Sequence, residues 1–154
     1  MPHCGLNRKE SMRLVLKTDL AVRERASGEL LNSPESAAPF LEDLRHLAQE
    51  AFVVLTLNTK NRAIKRHLVS LGTVNSTLVH PREVFRPAIT DGAASIIVSH
   101  CHPSGDASPS AEDIRITKKL IEAGKTIEIP VIDHLIVGDG PPLSLRESGL
   151  VEFN

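Results

Sequence analysis

The sequence predicts an α/β (α+β) chain, a mixed β-sheet flanked by helices, and three observations carry that expectation. Short apolar, β-branched runs recur at Ala51 to Leu57, Ser95 to Ser99 and Val131 to Val137, each the length of a strand. Stretches between them place apolar residues at helical spacing, so strands and helices interleave along the chain. A hydrophobic content of 41% over 154 residues suits one domain with a real core rather than two.

Residues 1–28 are rich in Arg, Lys and Glu, with scattered apolar positions such as Leu14, Val15 and Leu16. They are read as a partly ordered N-terminal arm, and residues 29–154 as the domain. The first helix starts with Ser33 as cap and Pro34 at its first position. Ala37, Phe40 or Leu41, Leu44 and Leu47 continue it at helical spacing to Gln49, and Pro39 is expected to kink or split it. Phe52 to Leu57, the Asn-rich turn Asn58-Thr59-Lys60-Asn61 and Ala63 to Leu71 read as a β-hairpin. Gly72 and the Val74 to Val79 stretch suggest its continuation through a bend or bulge. Pro81 opens a second helix through about Ala88, with Val84, Phe85 and Ala88 facing the sheet. Ile114, Thr117, Leu120 or Ile121 and Gly124 fit a third helix ended by glycine. Val131 to Val137 is a further strand.

Between the second and third helices lies the most informative segment of the chain. Ser95 to Ser99 reads as a buried strand with His100 and His102 at its end. Residues i and i+2 of a strand share a face, so both imidazoles project to one side. Pro103 and Gly105 then turn the chain, Ser108 or Ser110 caps the next helix, and Asp113 falls in its first turn, facing back toward the strand end. Two imidazole nitrogens and one carboxylate oxygen, with water as a fourth ligand, make the catalytic rather than the structural zinc pattern. The same residues have plainer roles: Ser110 and Asp113 also fit a capping box, and the histidines also fit packed strand positions. Asp133 and His134 invite a reading as hydrogen-bond partners of the zinc ligands, or as a strand-end pair bonded to backbone.

His100-x-His102, seven residues, Ser110, two residues and Asp113 resemble the JAMM signature of the MPN metalloprotease-like domains residue for residue. His80-Pro81-Arg82-Glu83-Val84-Phe85, His102-Pro103-Ser104-Gly105-Asp106, Pro109-Ser110 and Asp133-His134-Leu135-Ile136-Val137-Gly138 are similar to the RadC branch of that superfamily. The resemblance covers the chain from about Glu29 to Asn154 and implies a fold like that of the cytidine deaminases. It implies a Zn²⁺ ion on His100, His102 and Asp113, an upstream glutamate acting as general base, and a hydrogen bond from Ser110 to the reacting oxygen. Glu50, directly before the first strong strand, matches that glutamate; Glu42, Glu83 and Asp106 are its competitors. The implied activity is zinc-dependent hydrolysis of peptide, isopeptide or other amide bonds, with a peptide or protein as substrate. The alternative it leaves open is a non-enzymatic docking module associated with proteins or DNA repair. Full-length RadC-like proteins carry a helical region before this domain, and a DNA-contacting role carried there does not transfer to a chain of this length. Cys101 departs from the pattern, standing where RadC-like sequences usually show asparagine. Strand alternation sends its side chain to the face away from the histidines, either as a buried hydrophobe or, if swung in, as a thiolate ligand.

Composition narrows the remaining classes. A zinc deaminase would show His-x-Glu followed by Pro-Cys-x-x-Cys, and neither occurs. Two cysteines without paired spacing, and the lack of a signal peptide or long apolar run, point to a reduced cytoplasmic setting with no membrane. A net charge of −1 with no Trp or Tyr gives no electrostatic or stacking case for nucleic acid. The basic cluster Lys60, Arg62, Lys65 and Arg66 is read as a solvated hairpin face or a contact for an acidic partner.

Overall fold

The structure, a computed structural model, describes residues 28–72 and 79–154. The expected arm, apart from Gly28, and the stretch from Val74, apart from Val79, lie outside the described residues. A five-stranded mixed sheet in the order β2-β1-β3-β4-β5 forms the centre. Its strands are β1 (Ala51–Leu57), β2 (Ala63–Leu71), β3 (Ser95–Cys101), β4 (Val131–Val137) and β5 (Leu143–Ser144). β1 pairs antiparallel with β2 and β3, β4 antiparallel with β5, and only β3 and β4 run parallel. That parallel pair needs a crossover, and α3 (Ala111–Ile127) supplies it.

The central strands are buried on both faces, so β1 and β3 read as continuous rather than alternating apolar runs. One core layer holds Val53, Leu55, Ile97, Leu135 and Val137 beneath Leu31, Phe40, Leu41 and Leu44. The other packs Phe52, Val54, Ile96 and Val98 against Val84 and Phe85 of α2 (Pro81–Thr90) and Ile116 and Leu120 of α3. Among the described residues no helix is long and apolar enough to cross a membrane.

Three expectations need correction. The first helix splits, as expected of Pro39, but holds less α-helix than the run to Gln49 predicts: α1 spans only Pro34–Ala37, capped by Ser33, and 3-10 turns follow at Ala38–Phe40 and Glu42–His46. Pro39 cannot donate the backbone bond an α-helix needs there, so the chain tightens instead of continuing. Arg66 is not a solvated charge. It is 1% exposed, pairs bidentately with Asp43 at 2.6 and 2.7 Å, donates to the Phe40 carbonyl at 3.0 Å and so clamps the 3-10 turns to β2.

Gly124 does not end α3. The helix runs to Ile127, and Glu128, at φ 60°, makes the left-handed cap. Gly124 is instead a point of close approach, because a Cβ there would stand 2.6 Å from the Ile129 carbonyl oxygen and 3.3 Å from the Phe85 ring. Helix propensity alone says that Gly124→Ala stabilises by about 1 kcal/mol. The packing predicts the opposite sign, a loss of about 1–3 kcal/mol in urea unfolding.

Candidate metal centre

β3, the central strand, carries His100 at its C-terminal end with His102 just past it, and the helix that follows brings Asp113 back onto them. The loop between is held tightly. His102 N donates to the Val137 carbonyl at 2.9 Å, Gly105 N to the His102 carbonyl at 3.0 Å, and Asp139 N to the Gly105 carbonyl at 2.8 Å. A Cβ on Gly138 would meet the Gly105 carbonyl oxygen at 2.4 Å, so only glycine lets these two loops touch.

Ser110 caps α3, accepting from Asp113 N at 3.1 Å, while Asp113 Oδ2 accepts from Ser110 N at 2.8 Å. The capping box is therefore real, and it serves the cluster: it fixes Asp113 so that Oδ1 lies 3.0 Å from His100 Nε2 and Oδ2 lies 3.1 Å from His102 Nε2. The two Nε2 atoms are 3.0 Å apart. Ligand atoms on a tetrahedral zinc, with bonds near 2.1 Å, stand about 3.4 Å from one another. One donor atom from each of His100, His102 and Asp113 lies within 4.8 Å of the others, a set that could hold a metal ion and fits a small one directly.

The surroundings orient these ligands. Phe52, opposite His100 in the β1–β3 register, lies nearly parallel to its ring, centroids 6.1 Å apart. His134 Nε2 lies 2.7 Å from His100 Nδ1, and its own Nδ1 lies 2.5 Å from the Thr117 hydroxyl. Of the two readings for Asp133 and His134, each residue takes one. His134 meets a ligand, whereas Asp133 accepts from the backbone of His134 and Arg146 and from the Ser144 hydroxyl, tying down β5. Thr117, whose sequence signal was only a place on a helix face, was not picked out as part of the centre.

Burial pushes the Asp113 carboxyl toward neutrality, but its bond with His100, the charge there and the Ser110 amide outweigh this and hold it well below the usual carboxylate range. Burial, reinforced by His100, pushes His134 well below the ordinary imidazole value. Cys101 lies in the opposite core layer, its Sγ toward the Gln49 carbonyl at 3.5 Å, and burial raises its thiol pKa.

Glu50 stands directly before β1, its carbonyl accepting from Gly72 N at 2.7 Å. Phe52 faces His100 in the antiparallel register, and Glu50 lies two residues before Phe52, its charge reaching the Cys101 thiol. Of its competitors, Glu42 pairs with Arg45 and Glu83 with Arg86, whereas Asp106 stays beside the cluster, its carboxylate accepting from Ser108 N and its carbonyl 2.8 Å from His102 Nδ1.

The RadC-like JAB domain family matches residues 31–150. A UPF0758 protein of Geobacillus thermodenitrificans is 45% identical over 152 residues, covering 96% of this chain and 67% of the relative. A UPF0758 protein of Bacillus cereus is 52% identical over 120 residues, covering 77% and 53%. The chain thus spans about half to two thirds of the length of these curated relatives.

The electrostatics fix a sign for pH dependence. His134 stays neutral in the fold while the unfolded chain takes up a proton, so stability is lost as pH falls through the ordinary imidazole range and is unaffected above it. Asp113 acts only lower, below about pH 4, where the unfolded carboxylate protonates. Urea unfolding of metal-free protein from about pH 7.5 to about pH 5 should therefore fall more steeply for the native chain than for His134→Gln, by about 1 kcal/mol per pH unit at the acid end.

Proposed function

Since the chain belongs to the RadC-like JAB domain family, we propose that it is a zinc-dependent hydrolase of amide bonds in peptides or isopeptides. The convergence of His100 Nε2, His102 Nε2 and the Asp113 carboxylate, with separations of 3.0 to 3.1 Å, carries the reading. When bound, zinc supplies the Lewis acidity that activates water and polarises a carbonyl.

The remaining work falls to the chain. Glu50 takes the proton from the attacking water and returns it to the leaving amine, a role supported by its place directly before β1, two residues from the Phe52 that faces His100. Ser110 is suited to the developing oxyanion for a simple reason of proton counting. Its oxygen accepts from Asp113 N, which leaves its own proton free to donate. The exposure of Ser110 keeps that proton within reach of a bound substrate.

Glu50→Gln separates these roles. Zinc-loaded variant should keep its metal but lose about 10²–10⁴-fold in the release of amine from a peptide library. Loss of zinc in the variant would make Glu50 a ligand or a structural residue. Zinc binding without turnover in the native chain would favour a docking module.

A further inference from the structure

Counting donors and acceptors through the buried groups behind the centre gives a direction to every proton in it. The Asp113 carbonyl can only accept, and the Thr117 hydroxyl lies 2.6 Å from it, so the single hydroxyl proton of Thr117 is used there. Thr117 Oγ1 can then only accept from His134, 2.5 Å away, which puts a proton on His134 Nδ1. His134 is fully buried, and a neutral imidazole with Nδ1 protonated has a bare Nε2. That Nε2 sits 2.7 Å from His100 Nδ1 and must accept from it. His100 is thereby left with its lone pair on Nε2, the atom aimed at Asp113 and His102. A separate contact gives the same answer for His102: its Nδ1 lies 2.8 Å from the Asp106 carbonyl, which can only accept, so its lone pair is on Nε2 as well.

We infer that Thr117 and His134 are positioning residues, a buried relay from the Asp113 carbonyl through Thr117 Oγ1 and the His134 ring to His100 that locks the His100 tautomer with Nε2 open for the metal. The relay starts on the backbone of one ligand, Asp113, and ends on the ring of another, so the orientation of the helix and that of the strand are set together. The opposite direction, with Thr117 donating to His134, would leave the Thr117 and Asp113 oxygens facing each other at 2.6 Å with no proton between them. When both rings are neutral, two bare ring nitrogens and a carboxylate converge with nothing among them to donate, and a positive charge, whether a shared proton or a metal ion, completes that arrangement. The inference rests on the zinc reading for its purpose but not for its geometry.

Long-range ¹H–¹⁵N correlation of histidine-labelled protein reads ring tautomers directly. His134 should carry its proton on Nδ1 in the metal-free protein, and His100 and His102 should show metal-shifted Nε2 once zinc is added. Thr117→Val, which removes the acceptor, should redistribute the His134 tautomers and lower zinc affinity about 10-fold in competition with a chelating dye, and Thr117→Ser should restore both. His134→Gln, whose amide can accept from His100 and donate to Thr117, should bind zinc within a few-fold of the native chain, whereas His134→Phe should lose about 10–100-fold. A His134 proton on Nε2, or equal tautomers and affinity in Thr117→Val, would overturn the relay. Failure of the native protein to take up zinc would instead count against the proposed function, since the His134 tautomer is read without metal.

Discussion

The parallel pairing of β3 with β4 is the constraint on which this site depends. Every other neighbouring pair in the sheet is antiparallel and can be joined locally, but a parallel pair forces the chain to leave the end of β3, cross the sheet and re-enter beside its start. The crossover helix must therefore begin above the end of β3, where His100 and His102 project. Asp113, in the first turn of that helix, is thus carried to the two imidazoles by topology before any side-chain preference acts. The same pairing sets His134 beside Val98 on β4, on the face that His100 also uses, so strand register supplies the partner ring as helix position supplies Thr117.

Packing then removes the remaining freedom. Phe52 and His134 press on the His100 ring from two directions, at interplanar angles of 9° and 62°. The loop from His102 to Ser110 is fastened at Gly105 to the turn after β4, and its Asp106 carbonyl accepts from His102 Nδ1. Ligands positioned this way need little reorganisation to receive an ion, which limits the entropy lost on binding. The centre is half sheltered: His100 is fully buried, whereas Ser110 faces solvent and His102 is partly open, leaving one side exposed to solvent.

Much of this was legible in the sequence because it follows from short-range patterns. The apolar runs located β1, β3 and β4, the Asn-rich turn located the β1–β2 hairpin, and Ser110 with Asp113 located the start of α3. What escaped depends on contacts distant in sequence. The burial of Arg66 rests on Asp43 and Phe40, more than twenty residues upstream, and nothing near Arg66 announces them. Gly124 carries an ordinary terminator signal, yet its meaning is the approach of Phe85 and the Ile129 carbonyl. β5 is two residues long beside a Gly- and Pro-rich turn, too short to show alternation, and is fixed by Ser144 bonding to Asp133. Thr117 sits at a helix position where any compact residue would pack; only the position of His134 on another strand gives its hydroxyl a role.

Whether His100, His102 and Asp113 hold a metal decides what this site can do. Elemental mass spectrometry of the purified chain, beside His102→Ala and after dialysis without chelator, asks this directly. One zinc per chain, lost in the variant, is the predicted result. No zinc in either protein, even after it is added back, would contradict the account and leave a helix cap beside two packed histidines.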